Sequence, residues 1–167
     1  LSEKEEKLMS KLAPVMDTPY QVYNMTKLAD MVFPSFETEG KEYPMGYALF
    51  EDDYQYEKNT EVRRKAFEVF SNEIKKYENT TASVYNAQCQ KEKIESEIRG
   101  YDSVFDFLLF PQNVTREMYD RQIDTIMNEL SPHMRRYARL KKKVLGLEEM
   151  TYPDLLVPLD SDYSPSV

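Results

Sequence analysis

Between Asn59 and Gly100 the chain contains neither proline nor glycine. Its apolar residues Val62, Ala66, Val69, Phe70, Ile74 and Tyr77 advance in steps of three and four, and the series resumes at Val84 and Tyr85. That spacing lays one stripe along one face of an α-helix. The expected helix starts at an Asn59 or Thr60 cap and stops at Gly100, because glycine enters the left-handed region at little cost. At about 1.5 Å rise per residue it extends roughly 60 Å. A rod longer than a small domain is wide must pack against several partners or link two lobes. Asn79-Thr80-Thr81 is its weak point, since these side chains compete for backbone hydrogen bonds.

The segments on either side are also mostly helical. Ser2 with Glu5 makes a capping box before Leu8, Met9 and Leu12, and Pro14 should kink or end that helix. Thr18 is expected to cap a second helix, with Pro19 at its start and Tyr20, Tyr23 and Leu28 at helical spacing. From Met31 to Met45 the pattern changes. Val32, Phe33 and Phe36 precede Glu39-Gly40, and Tyr43 and Met45 follow, which reads as a short β-hairpin whose prolines, Pro34 and Pro44, suit edge strands. Gly46 to Tyr54 reads as a short helix.

Beyond Gly100, Asp102 can cap a short helix containing Phe105, Leu108 and Leu109. Thr115 caps the last long helix, whose stripe is Tyr119, Ile123, Ile126, Leu130, Met134, Tyr137 and Val144. Pro132 removes a backbone bond there and predicts a bend or break near Glu129 to Ser131. The fold class is therefore mainly α, with long antiparallel helices and one short β-hairpin near residues 31–45. Three consecutive segments are expected: a helical lobe with the hairpin at 1–58, a long-helix region at 59–150, and an extended connector at 151–167 carrying Pro153, Pro158 and Pro165.

Composition narrows the function more by exclusion than by motif. A hydrophobic fraction of 41% supports a packed core. The net charge of −8 works against binding to phosphate backbones or anionic lipid, so neither nucleic acid nor membrane is an expected partner. One histidine and one cysteine leave no Cys/His pair and no metal cluster within this sequence. With a single cysteine and no apolar run of spanning length, a reducing cytoplasm is the expected location. The start at Leu1 and the end at Tyr163-Ser164-Pro165-Ser166-Val167 read as those of a piece excised from a longer protein.

Each tempting residue has a structural reading beside it. His133 has no second His or Cys and no obvious carboxylate partner, and Cys89 lies on a helix with no nearby cation to lower its pKa. The cluster Arg135, Arg136, Arg139, Lys141, Lys142 and Lys143 suits a helix C-terminus, where cations complement the dipole. Glu51-Asp52-Asp53 lacks calcium-loop spacing. Of the three Asn-x-Thr sequons, at Asn24, Asn79 and Asn113, two fall within expected helices. The thirteen tyrosines divide between core and a possible peptide-facing groove, and spacing does not separate the two classes. No catalytic, cofactor-binding or metal-ligating residue is assigned.

A resemblance adds what spacing cannot. The tracts Val22-Tyr23-Asn24-Met25, Ala29-Asp30-Met31-Val32-Phe33-Pro34, Val62-Arg63-Arg64-Lys65-Ala66-Phe67, Lys76-Tyr77-Glu78-Asn79-Thr80, Ile98-Arg99-Gly100-Tyr101, Val114-Thr115 with Tyr119, and Tyr137-Ala138-Arg139-Leu140-Lys141-Lys142 occur in that order. Together they resemble oligoendopeptidase F and its zinc oligopeptidase relatives. Tyr152-Pro153-Asp154-Leu155-Leu156 is similar to that family's Tyr-Asp-Leu connector, with Pro153 inserted. The resemblance implies a mostly helical metallopeptidase that cuts oligopeptides in a channel between two lobes, with zinc held by a His-Glu-x-x-His helix and a further glutamate. This chain has no such motif, so no metal ligand carries over. The resemblance thus implies a non-catalytic portion forming a channel wall, zinc in the full-length parent but none bound here, and a catalytic domain C-terminal to Val167. Self-association through faces that normally meet that domain is expected. The rival reading is a stand-alone helical interaction module.

Overall fold

The computed structural model describes residues 1–160. In chain order its elements are α1 (Glu3–Met16), α2 (Thr18–Met25), the hairpin strands β1 (Phe36–Thr38) and β2 (Lys41–Tyr43), α3 (Tyr47–Asp52), α4 (Thr60–Lys75), α5 (Glu78–Ile98), α6 (Val104–Leu109), α7 (Arg116–Thr125) and α8 (Ser131–Val144). The fold is mainly α with one two-stranded antiparallel hairpin. It divides into two compact units, each discontinuous in sequence. A helical unit comprises Leu1–Asp30 and Tyr77–Met127; an aromatic unit comprises Met31–Lys76 and the described part of Asn128–Val167. This grouping crosses the three consecutive segments expected, because packing joins stretches far apart in the chain.

The single long helix is not formed. It ends at Lys75, and α5 begins at Glu78 after Tyr77, whose φ of −101° and ψ of 9° leave the helical region. Tyr77 donates its hydroxyl to the Asp30 carbonyl at 3.0 Å, a tether within the helical unit. The break lies two residues ahead of Asn79-Thr80-Thr81. No proline or glycine marks it, which is why periodicity alone runs across it.

Local chemistry sets most element ends. Asn59 Oδ1 accepts the backbone N–H groups of Glu61 and Val62 at 2.9 and 3.3 Å, and so caps α4. The Ser2–Glu5 capping box is reciprocal, and Thr115 caps α7. Two expected caps move by one residue. Asp17 rather than Thr18 precedes α2, leaving Thr18 and Pro19 in the first turn. Ser103 rather than Asp102 caps α6, its hydroxyl accepting from Asp106 N–H at 3.1 Å. Pro14 lies inside α1, which ends two residues later at Met16. A π-helical turn at Ile126–Leu130 precedes α8 and leaves Pro132 in the first turn, where its missing N–H is harmless. Gly100, at φ 76°, stops α5: Gly100 and Tyr101 donate back to Glu97 and Ser96 at 3.1 and 3.0 Å.

The hairpin is tighter than the sequence suggests. Phe36 pairs with Tyr43 and Thr38 with Lys41, which leaves Glu39-Gly40 as a two-residue turn with φ of 53° and 72°. Both values are left-handed, as a turn matching the twist of paired strands requires. Pro34 and Pro44 lie outside the strands and bracket them. Phe36 then joins Phe50, Tyr54, Val62, Ala66 and Phe70 in the buried core of the aromatic unit. The rings of Phe50 and Phe70 stack at 3.9 Å, and Tyr54 donates its hydroxyl to the Pro44 carbonyl at 2.6 Å. Burial, followed by the charge of Asp53, pushes the Tyr54 phenol above its ordinary pKa.

The segment from Thr151 is not an extended connector over its described part. Tyr152–Asp154 forms a 3-10 turn whose Thr151 and Asp154 satisfy each other's backbone N–H groups. Asp154 and Val157 are buried. The remainder of the expected connector, 161–167, lies outside the described residues.

Candidate functional site

Two built places stand out, one in each unit. In the aromatic unit, Asp154 is fully enclosed and receives five hydrogen bonds. Arg63 donates from Nε and Nη2 to Oδ1 at 3.2 and 2.5 Å. Arg64 Nη2 donates to Oδ2 at 2.8 Å, and Thr151 adds its N–H and hydroxyl at 2.8 and 2.6 Å. Burial by itself would push the Asp154 carboxyl up. The hydrogen bonds from Arg64, Thr151 and Arg63 outweigh it and hold the group well below the usual carboxylate range. Arg63 spends its other N–H groups on the Glu57 and Lys58 carbonyls and on Thr60. Lys141, buried beside them, donates to the Leu155 carbonyl; burial and then the Arg63 charge lower its pKa. One member of the basic cluster is thus a core residue rather than part of a solvated helix end.

This node anchors rather than reacts. Both carboxylate oxygens of Asp154 are filled by donors, which leaves neither lone pairs for a metal nor a free base. Its work is to pin the Thr151–Asp154 turn to α4. Tyr152 and Pro153 then roof a mostly apolar cleft of about 280 Å³ over Phe50, Phe67 and Phe70.

In the helical unit, Pro19, Tyr20 and Tyr23 of α2 face Thr81, Val84, Tyr85 and Gln88 of α5 across an open, almost wholly apolar groove of about 330 Å³. Tyr20 and Tyr85 are 61% and 71% exposed, unusually wet for rings that line a groove. Gln88 Nε2 donates to Glu92 Oε1 at 2.7 Å. Because a carboxylate only accepts, that bond fixes which way the amide points. Gln88 Oε1 is then buried without a hydrogen-bond partner. Interaction with the neighbouring Cys89 side chain raises the Tyr85 pKa.

The structure therefore separates the tyrosines that spacing left mixed. Tyr43, Tyr47 and Tyr54 belong to the core of the aromatic unit, whereas Tyr20, Tyr23 and Tyr85 line the groove. His133 is exposed on α8 and Cys89 is exposed on α5. The zinc that the family resemblance implies finds no fitting donor set here. Among the described residues no three His, Cys, Asp or Glu side chains gather to hold a metal, and the most enclosed carboxylate is saturated by cations and Thr151. No helix among the described residues is long and apolar enough to cross a membrane. Sequence reasoning missed the Asp154 node, although Thr151 and Asp154 stand at capping-box spacing and could have disclosed the turn.

The chain belongs to peptidase family M3, whose model matches residues 54–162. Within it the chain is a segment of the oligoendopeptidase F kind, and the model described as oligopeptidase F matches residues 1–33. It is 32% identical over 163 residues to oligopeptidase PepF of Bacillus subtilis, covering 97% of this chain and 24% of that protein. An oligoendopeptidase F homolog of Lactococcus lactis is 28% identical over 167 residues, covering 98% of this chain and 27% of its own length. The chain thus spans about a quarter of these relatives. The crystal structure of oligoendopeptidase-F from Enterococcus faecium superposes with a TM-score of 0.89 at 23% identity, over 97% of this chain and 32% of that one. That of a putative peptidase from Chlamydophila abortus gives 0.88 at 21% identity, over 95% and 27%.

Proposed function

We propose that this chain is the non-catalytic helical portion of a zinc-dependent oligoendopeptidase that hydrolyses short peptides in the cytoplasm. Its role is to form part of the wall of the substrate channel. The observation that carries the reading is the family match over residues 1–33 and 54–162, taken with a donor chemistry that suits anchoring and not metal binding. Capped helices and an enclosed ionic node make a firm wall, and a firm wall admits an unfolded peptide more readily than a folded protein. Zinc, when bound in the parent, supplies an activated water and polarises the scissile carbonyl. The residues described here add only confinement and orientation. The isolated chain is inactive on this reading, and the faces that meet the rest of the parent leave it prone to self-association.

An internally quenched oligopeptide, incubated with the chain alone and with a longer polypeptide that carries it, tests the proposal. The expected result is chelator-sensitive cleavage by the longer protein and none by the chain. Cleavage by the 167-residue chain that a chelator abolishes would overturn it.

A further inference from the structure

The open side of α8 combines an uncovered apolar seam with cations that meet no partner. Leu130, Tyr137 and Val144 recur every seven residues, with Leu140 between the last two, and these side chains are between 41% and 54% exposed. At about 100° per residue they share an arc of roughly 80°, in which the exposed His133 is the polar member. Arg136 and Lys143 stand immediately before Tyr137 and Val144, at the positions that edge such a seam when two helices pair. Arg135, Arg139 and Lys142 lie further round the helix. All five cations are exposed, and among the described residues none has an ion pair or a side-chain hydrogen bond. Arg63, Arg64, Arg99 and Arg116, by contrast, each meet a carboxylate. Because α8 contains no Asp or Glu, its local field is positive although the chain carries a net charge of −8.

We propose that α8 seats an acidic amphipathic helix from the part of the peptidase outside this chain, its apolar side over Leu130, Tyr137, Leu140 and Val144 and its carboxylates opposite Arg136 and Lys143. The assignment rests on the reading of the chain as one portion of a larger peptidase, and deepens it by naming the face and the chemistry of the contact. Other occupants fit less well. A two-fold antiparallel pairing of two copies across α8 sets Arg136 and Lys143 against their own images, and like charges facing each other oppose the contact. A lipid surface takes a helix that is clear on both flanks. Here the second flank is closed, since Lys141 is buried there and donates to the Leu155 carbonyl. An acidic helix needs only the open flank. This chain covers 24% and 27% of two of its relatives, so a protein of that length can supply the helix from the same polypeptide, at the high effective concentration a covalent link gives.

The test places a single thiol in the seam, Leu140→Cys with Cys89→Ser, in this chain and in a longer polypeptide that carries it. Labelling by a fluorescent maleimide is followed in each and normalised to the rate in urea. The thiol should react freely in the chain and at least about tenfold more slowly in the longer protein, where the seated helix admits the reagent only through local opening. Val144→Cys in the same background repeats the measurement at a second point of the seam. Arg136→Glu combined with Lys143→Glu should restore fast labelling in the longer protein, because carboxylates then face carboxylates, and added salt should narrow that gain. Equal labelling of chain and longer protein at both positions overturns the seated helix. Protection that survives the charge reversal unchanged overturns its acidity. Protection that vanishes on dilution of the longer protein assigns the seam to a second copy, and protection of the isolated chain by phosphatidylserine vesicles assigns it to lipid; either result overturns the proposal. The channel-wall reading fails separately, on hydrolysis of the quenched peptide by the chain alone.

Discussion

The aromatic unit gathers six buried side chains into one cluster, with Phe50 stacked on Phe70, and ties residues 91 positions apart through Arg63 and Asp154. The buried residues described for the helical unit, Met9, Thr26, Ser96 and Leu109, form no comparable cluster. Its helices instead leave Leu8, Val15, Met25 and Leu28 open to solvent. Both units join residues distant in sequence, the helical one through Tyr77 to Asp30 and Arg99 to Glu6, but only the aromatic unit adds a buried ring cluster and an enclosed ion pair. A family segment can therefore combine a ring-packed, ion-tied unit with one whose helices leave more apolar surface uncovered.

Breaking the ionic node should produce the largest contrast between the units. Asp154→Ala leaves Arg63 charged, buried and unpaired, and should cost about 4 kcal/mol. Urea denaturation with hydrogen exchange should show lost protection in residues 31–76 and little change in 78–98; equal loss in both would abolish the distinction. Phe70→Ala should cost about 3 kcal/mol by opening a cavity in the ring cluster, against about 2 for Met9→Ala, whose surroundings collapse more readily. Calorimetry on the two variants orders them.

Acid provides a gentler probe of the same contrast. The Asp154 carboxyl is held below its ordinary pKa of 3.8, so its stabilisation is fully present above that value and drains away as pH falls below it. Denaturation midpoints between pH 5 and about 2 should fall, and Asp154→Asn should flatten the slope in the aromatic unit. Gly100→Ala forces a side chain into the left-handed region and should cost about 1 kcal/mol, seen as fraying at the end of α5 alone. The smallest effect is association. Leu130, Met134, Tyr137, Leu140 and Val144 remain exposed along one side of α8 and the turn before it. Sedimentation should show an oligomer that dissociates on dilution and that Met134→Lys suppresses; a strict monomer at high concentration counts against an unmet face there.

Much of the fold could be read from local signals. Asn59, Thr115, Ser2 and Gly100 act on neighbours within a turn or so, and the structure places each as its chemistry dictates. Glu39-Gly40 was legible as a turn through Gly40, which enters the left-handed region freely; Glu39 at φ 53° carries no such local signal. What escaped was non-local. Tyr77 leaves the helix where it reaches Asp30, a contact that no window of sequence contains. Lys141 reads as one of several solvated cations until Leu155 and Asp154 surround it. The candidate groove was half legible: its tyrosines were noticed as a class, but the pairing of α2 with α5 that selects Tyr20, Tyr23 and Tyr85 is a tertiary fact.

The separation of Arg63 from Asp154 also has a consequence on the ribosome. At about 5–20 residues per second, translation exposes α4 roughly 5–18 s before its counter-ion emerges. Throughout that interval the nascent hairpin and its phenylalanines cannot close around a paired arginine. The aromatic unit is thus obliged to mature late, after the stretch that interrupts it has already been made.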